Sequence, residues 1–114
     1  MALPELLKKS VELKMKKYCE RKFPTKSQDR VRGGFKIRGD TVTLYEERIG
    51  FLPPHEWCEI PIAQFRYDKK DKKWTLYCMP RSERWELYLD SDPTKNFDNL
   101  LQEVEEDGTG IFWG

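Results

Sequence analysis

The chain has 114 residues, 38% hydrophobic, 13% aromatic and 36% charged, with a formal net charge of +1. That length holds a single domain, and so many aromatic residues exclude a disordered chain. No stretch approaches ~20 apolar residues, so no membrane-spanning helix is expected. The run from Met1 to Val11 is broken by Lys8, Lys9 and Ser10, too early for a secretory signal. Three cysteines, Cys19, Cys58 and Cys78, have the wrong parity for a disulfide scaffold. A cytoplasmic location is the expectation.

The near-neutral total conceals an asymmetry. Residues 1–38 carry 12 Lys/Arg against 4 Asp/Glu, and residues 39–114 carry 9 against 16. Either the basic half and the acidic half neutralise each other in the fold, or one of them faces a partner of opposite charge.

Pro4 suits the start of a helix, and Leu3, Leu7, Val11, Met15 and Tyr18 recur at helical spacing, predicting a helix over about residues 4–22. Pro24 ends it. Thr25 to Arg32 reads as a polar connector, and Gly33-Gly34 opens a region of short alternating segments, a sheet over about residues 33–89. Strands are expected at Phe35–Arg38, Thr41–Arg48, Ile60–Tyr67, Trp74–Met79 and Arg84–Leu89. Gly39-Asp40 is the first turn, Gly50–Glu56 a loop, and Asp68–Lys73 a charged hairpin loop. Pro61 should lie near the start of its strand or on an edge. Asp92 as N-cap and Pro93 as first residue predict a second helix over about 93–107, with Phe97, Leu100, Leu101 and Val104 on one stripe and Gly108 ending it. The fold class is therefore α+β: an antiparallel meander of about five strands packed by an N-terminal and a C-terminal helix.

Strand parity divides this sheet into two faces. If Met79 pairs with Arg84, then Trp74, Leu76 and Cys78 share a core face with Trp85, Leu87 and Leu89. Thr75, Tyr77, Met79, Glu86 and Tyr88 then fall opposite, and Thr43, Tyr45, Phe65 and Tyr67 can join them, a register that the hairpin loop leaves open. A row of rings near Arg and Lys is how single-strand nucleic-acid binders stack bases. The expected binding set is Tyr45, Phe65, Tyr67, Tyr77 and Tyr88, with Arg48 and Arg81 among the cations. Against it stands the ordinary preference of tyrosine for half-buried strand positions, or a helix covering this face.

Catalytic chemistry has little to stand on. His55 and Cys58 form one close pair where zinc sites show two. Asp40, Glu46, Glu47 and Arg48 could form a carboxylate site for metal-dependent hydrolysis, but charged pairs on strands more often meet water. One histidine and no elbow motif argue against a nucleophilic triad, and no glycine-rich phosphate loop is present. No catalytic residue, metal ligand or cofactor is assigned. Glu103, Glu105, Glu106 and Asp107 sit where a helix dipole disfavours acids, so either the Lys-rich first helix or a basic partner should compensate. The apolar tail, residues 109–114 with Phe112 and Trp113, either folds back beside the sheet or is captured by a partner or a second copy.

Asp107-Gly108-Thr109-Gly110-Ile111-Phe112-Trp113-Gly114, with Tyr18-Cys19, Arg38-Gly39, Leu44-Tyr45-Glu46 and Arg48, Pro61-Ile62-Ala63, Phe65-Arg66-Tyr67, Trp74-Thr75-Leu76-Tyr77, Trp85 and Tyr88, resembles the bacterial domain-of-unknown-function family 3024. The resemblance runs from about Leu7 to Gly114. It implies a bacterial, soluble, single-domain protein with no assigned activity and no catalytic residues to transfer. Similar proteins often carry an aromatic residue where Cys78 stands.

The functional expectation is a non-enzymatic module that binds a macromolecule, with single-stranded nucleic acid as the concrete ligand. The alternatives are a protein adaptor or homodimer using Phe112 and Trp113, and a metal-dependent hydrolase around Glu46. No membrane partner is expected, and the oligomeric state is open.

Overall fold

The computed structural model describes residues 3–24, 30–50 and 52–113. Most of the expected connector (residues 25–29), one residue of the loop after Gly50 and the final Gly114 lie outside them. The architecture is α+β: one five-stranded antiparallel sheet in the order β1-β2-β3-β4-β5, preceded and followed by a helix. Helix α1 spans Glu5–Lys22 and buries Val11, Met15 and Tyr18, one apolar residue per turn. The Phe23 N–H caps it by donating to the Cys19 carbonyl at 2.8 Å.

Strand β1 is Val31–Arg38 and β2 is Thr41–Ile49, joined by Gly39-Asp40 with Gly39 at φ 58°. The expected strand at Phe35 starts earlier, because Gly33-Gly34 lies within β1. At Gly33 a Cβ would fall 2.3 Å from the Phe23 ring, so the missing side chain lets the end of α1 cross the strand. Strand β3 runs Trp57–Asp68 and β4 runs Lys73–Cys78. A bulge breaks the β2–β3 register, since Leu44 faces Ala63 while Tyr45 faces Pro61. Ile62 is the extra residue, and Ile62 and Ala63 are both buried. Pro61 lies inside β3, in a stretch that β4 does not reach because that pairing ends at Ala63; its missing N–H costs no ladder bond there.

The last strand corrects the expected register. Strand β5 is only Glu86–Leu87, with Tyr77 opposite Leu87 and Cys78 opposite Glu86. This differs by one residue from pairing Met79 with Arg84, so every side chain changes face. Tyr88 turns inward at 5% exposure, while Leu87 and Leu89 are 47% and 82% exposed. The tail supplies the reason. The Tyr88 ring lies 4.9 Å from the Phe112 ring, a larger apolar contact than either leucine would make.

Helix α2, Phe97–Glu106, begins later than the Asp92-Pro93 signal implies. Thr94 is held extended by bridging Trp74 through two backbone hydrogen bonds, at 2.7 and 3.0 Å. The N-cap is therefore Asn96, whose side chain accepts the Asp98 N–H at 3.0 Å. Phe97 packs on Phe65 and Trp74 with centroids 4.8 and 4.9 Å away. The helix ends on Asp107 in the left-handed region, φ 47°, rather than on Gly108. A carboxylate is wanted there, because Asp107 accepts the backbone N–H groups of Phe112 and Trp113 at 3.0 and 2.9 Å. Those bonds turn the tail back: Phe112 is buried, and Trp113 packs edge-on against Phe23 beneath the Lys22 ammonium. Phe112 is thus core: of the two alternatives for the tail, the structure has it folded back beside the sheet.

The helices also share charge. Lys22 and Arg21 reach Glu105 at 3.1 and 3.9 Å, and Lys14 reaches Asp98 at 3.1 Å.

Two outcomes follow from this packing. Phe112→Ala should cost about 3–5 kcal/mol, as buried aromatic truncations do, measured by urea denaturation; a folded chain of unchanged stability would show that the tail is not core. Burial, and secondarily the Glu105 charge, push the Tyr18 phenol far above its usual range. Its stabilising contribution is therefore complete below about pH 10, the unfolded value, and is lost as the pH climbs beyond it. Tyr18→Phe should unfold at higher pH than the parent when circular dichroism is followed through alkaline titration.

Candidate functional site

Both helices lie on one side of the sheet. The core of that side is Val42, Leu44, Phe65, Trp74 and Leu76, under Met15 and Tyr18 of α1 and Phe97, Leu100 and Val104 of α2. Among the described residues no helix covers the opposite face. Cross-strand register puts Arg32, Gly34, Lys36 and Arg38 of β1 on that face, beside Glu47, Tyr45, Thr43 and Thr41 of β2. Ahead of the bulge β3 adds Trp57, Glu59 and Pro61, and after it Gln64 and Arg66. Thr75 and Tyr77 come from β4.

Rings and cations are paired across this face. The Arg32 guanidinium stands 3.9 Å from the Trp57 centroid, Arg66 stands 3.8 Å from that of Tyr77, and the Lys36 ammonium 5.0 Å from that of Tyr45. Tyr45 lies down across β1 because its cross-strand partner is Gly34; a Cβ there would be 2.9 Å from the Tyr45 hydroxyl oxygen. Arg66 is oriented by a polar chain, its Nε donating to Gln64 Oε1 at 2.7 Å while Gln64 Nε2 donates to Thr43 Oγ1 at 3.0 Å. Glu47 takes the Arg32 charge and Glu59 that of Lys36, at 3.3 and 2.7 Å. Arg38 and Arg66 have no carboxylate partner among the described residues, so the face keeps a positive excess. Trp85 closes a shallow groove of about 320 Å³ with Lys36, Arg38, Tyr45, Pro61 and Gln64.

The residues singled out from sequence separate here. Tyr45 and Tyr77 lie on the open face. Phe65 and Tyr88 are buried in the core, and Tyr67 is on the helix side with its ring 5.0 Å from Trp74; for these three the face assignment is corrected. Arg48 shares its face with Glu46, to which its Nε donates, and Arg81 is exposed in the loop after β4. Trp57, Trp85, Arg32, Lys36, Arg38 and Arg66 were not singled out. For Arg32, Lys36 and Arg38 the signal was alternation along β1. For Trp57 the bulge inverts the parity that alternation would assign.

The carboxylates do not converge. Glu46 is buried and paired with Arg48, Glu47 is on the other face, and Asp40 is in the turn at the far end of β2. Among the described residues no three His, Cys, Asp or Glu side chains come together as a metal site. The His55 Nδ1 is 3.0 Å from the Gly50 carbonyl oxygen, as donor. Burial pushes the Cys19 thiol up to about 11, and burial followed by the Glu86 charge raises that of Cys78.

No helix of the described residues is long and apolar enough to cross a membrane. A family model described as a domain of unknown function (DUF3024) matches residues 3–114, and the chain belongs to that family. No curated protein and no solved structure matches it significantly.

Thiol reactivity should follow burial. At pH 8 a disulfide reagent should label exposed Cys58 at once, half-buried Cys19 more slowly, and buried Cys78 only as the chain unfolds. Three equally fast thiols, counted by absorbance, would contradict this packing.

Proposed function

We propose that this DUF3024 member is a non-enzymatic module that binds single-stranded nucleic acid on the open face of its sheet. The observation that supports the reading most directly is the alternation of rings and cations across β1–β4: Trp57, Tyr45 and Tyr77 each carry a cation above the ring. Bases can stack on such rings or on the flat guanidinium groups of Arg32 and Arg66, as in other sheet-based binders. Phosphates would meet Arg38, Lys36 and the exposed Arg81. Stacking needs no particular base, so the binding is broad in sequence. A duplex hides the flat faces of its bases and fits poorly. A cytoplasmic location in a bacterial cell accords with this role and belongs to the same proposal.

The test is fluorescence anisotropy with labelled single-stranded RNA, single-stranded DNA and duplex. Single strands should bind more tightly than duplex. With two to four phosphates contacted, log affinity should fall with log salt at a slope of about −1.4 to −2.8. Tyr77→Ala and Trp57→Ala should each weaken binding by about 1–3 kcal/mol, roughly 5- to 150-fold, with circular dichroism unchanged. Tyr67→Ala, on the other face, serves as the control. Equal affinity for duplex, or indifference to both ring removals, would sink the reading.

A further inference from the structure

We propose that the outer edge of β1, together with the adjoining flank of α1, is a docking site for an extended acidic peptide segment of a partner protein, which adds to the sheet as a sixth strand. β1 ends the sheet, and among the described residues only β2 pairs with it. The Arg30 carbonyl accepts the Ile49 N–H at 3.3 Å. Antiparallel alternation then directs the backbone N–H and C=O groups of Val31, Gly33, Phe35 and Ile37 away from β2. Proteins usually blunt such an edge with proline, a bulge, a very short strand or charged side chains, lysine above all. The opposite edge has that protection, since β5 is two residues long. β1 has eight residues, none of them proline and without a bulge, and its guard is the charge of Arg32, Lys36 and Arg38, which repels another basic strand and attracts an acidic one.

Beside this edge lies a groove of about 690 Å³ between α1 and β1. Its floor is Phe35, Ile37 and Leu13, the last 55% exposed; Lys8, Lys9, Lys16 and Glu12 complete it. The charge on α1 is divided between two flanks. Lys14, Arg21 and Lys22 meet Asp98 and Glu105 of α2. Lys8, Lys9 and Lys16 make no ion pair among the described residues; Glu12 is the acid within the groove, and Glu20 stands beside Lys16 in the next cleft. On the other side of the same edge stand Arg38, exposed and without a carboxylate partner among the described residues, and Lys36, which shares its charge with Glu59.

This charge selects the occupant. A second copy pairing β1 against β1 would bring these cations together, and like charges on adjoining strands are destabilising. A strand bearing Asp and Glu meets cations on both sides instead. Its alternate residues would face Phe35, Ile37 and Leu13 and should be apolar; the intervening ones would face Lys36 and Arg38 and should be acidic. The motif recognised is therefore an extended run of alternating apolar and acidic residues. This surface shares Lys36 and Arg38 with the groove closed by Trp85, but its floor of Phe35, Ile37 and Leu13 lies on the helix side of the sheet, so the proposal does not depend on nucleic-acid binding.

The experiment uses the full chain, isotopically labelled, with an acetylated octapeptide alternating Val and Glu, and a Val–Lys counterpart as control. The Val–Glu peptide should bind saturably and the Val–Lys peptide should not. At saturation, exchange of the Phe35 and Ile37 amide hydrogens should slow by about tenfold or more, while that of Lys36, already bonded to β2, stays unchanged. The double substitution Lys9→Glu, Lys16→Glu, on exposed helix positions, should weaken binding by about tenfold or more. Absence of binding, equal binding of the Val–Lys peptide, or binding without protection of Phe35 and Ile37 would each overturn the proposal. So would a dimer in sedimentation equilibrium whose formation protects those same amides.

Discussion

The structure depends on one imbalance: a sheet has two faces, and both helices of this chain pack on the same one. Among the described residues no helix covers the other. The covered side takes the large apolar side chains, with Phe65, Trp74, Leu76 and Leu44 essentially inaccessible. The uncovered side must tolerate water while still carrying side chains that suit strands. Its solution is to lay arginine and lysine over tyrosine and tryptophan, so that the aliphatic stem shields the ring and the charged head stays hydrated. Glu47 and Glu59 hold two of those cations in place. The same arrangement that makes the face soluble leaves it flat, aromatic and positive.

The helices stay on their side because the C-terminal end of α1 is tied to the end of α2 and the tail that follows it. Asp107 closes α2 in the left-handed region and gathers the Phe112 and Trp113 amides. Trp113 then meets Phe23, which crosses β1 at Gly33. The two helix ends are joined again by Lys22 and Arg21 on Glu105. Exposed ion pairs of this kind contribute about 0–1 kcal/mol each, so aromatic burial carries most of the joint and charge sets its orientation. The acids at the end of α2, unfavourable for the helix dipole, are met in this way by the basic end of α1. Neutralisation accounts for one flank of α1 and leaves the other basic. The uneven charge of the sequence is therefore partly spent within the fold and partly displayed.

Element identity and order were legible in the sequence, because helical and alternating apolar spacing are local signals. Both helices, the Gly39-Asp40 turn and the meander order could be read from them. Three features could not, and each depends on a distant contact. The α2 start moved from Asp92 to Asn96 because Thr94 bridges Trp74, twenty residues earlier. The face of Tyr88 was decided by Phe112, which only the folded tail brings near. The face of Trp57 was decided by the bulge. The candidate site suffered most, since facing is a parity question and one residue of slip inverts it. Tyr77 survived because alternation within β4 alone sets it opposite Trp74, Leu76 and Cys78, and Tyr45 because β2 itself alternates without interruption from Thr41 to Glu47. Phe65 was misplaced because its facing hung on the register across the charged hairpin loop, where Phe65 in fact opposes Leu76.

The bulge is more than a reading error, because it makes the open face what it is. With an unbroken register, Phe65, Tyr67 and the odd-numbered residues before them would all point toward the helices. Trp57, Glu59 and Pro61 would then turn inward, at the end of β3 where neither helix offers a full apolar cover. The extra residue Ile62 reverses this. Ile62 and Ala63 both enter the core, and the first half of β3 turns its odd-numbered side chains outward to meet β1 and β2. Glu59 thereby reaches Lys36, and Trp57 reaches Arg32, from a strand that is not adjacent to theirs. Those two contacts span β2 and hold the cations of β1 over the middle of the sheet. One inserted residue thus supplies a ring and a counter-charge to the open face. The proline beside it does no harm, because β4 has already ended its pairing there.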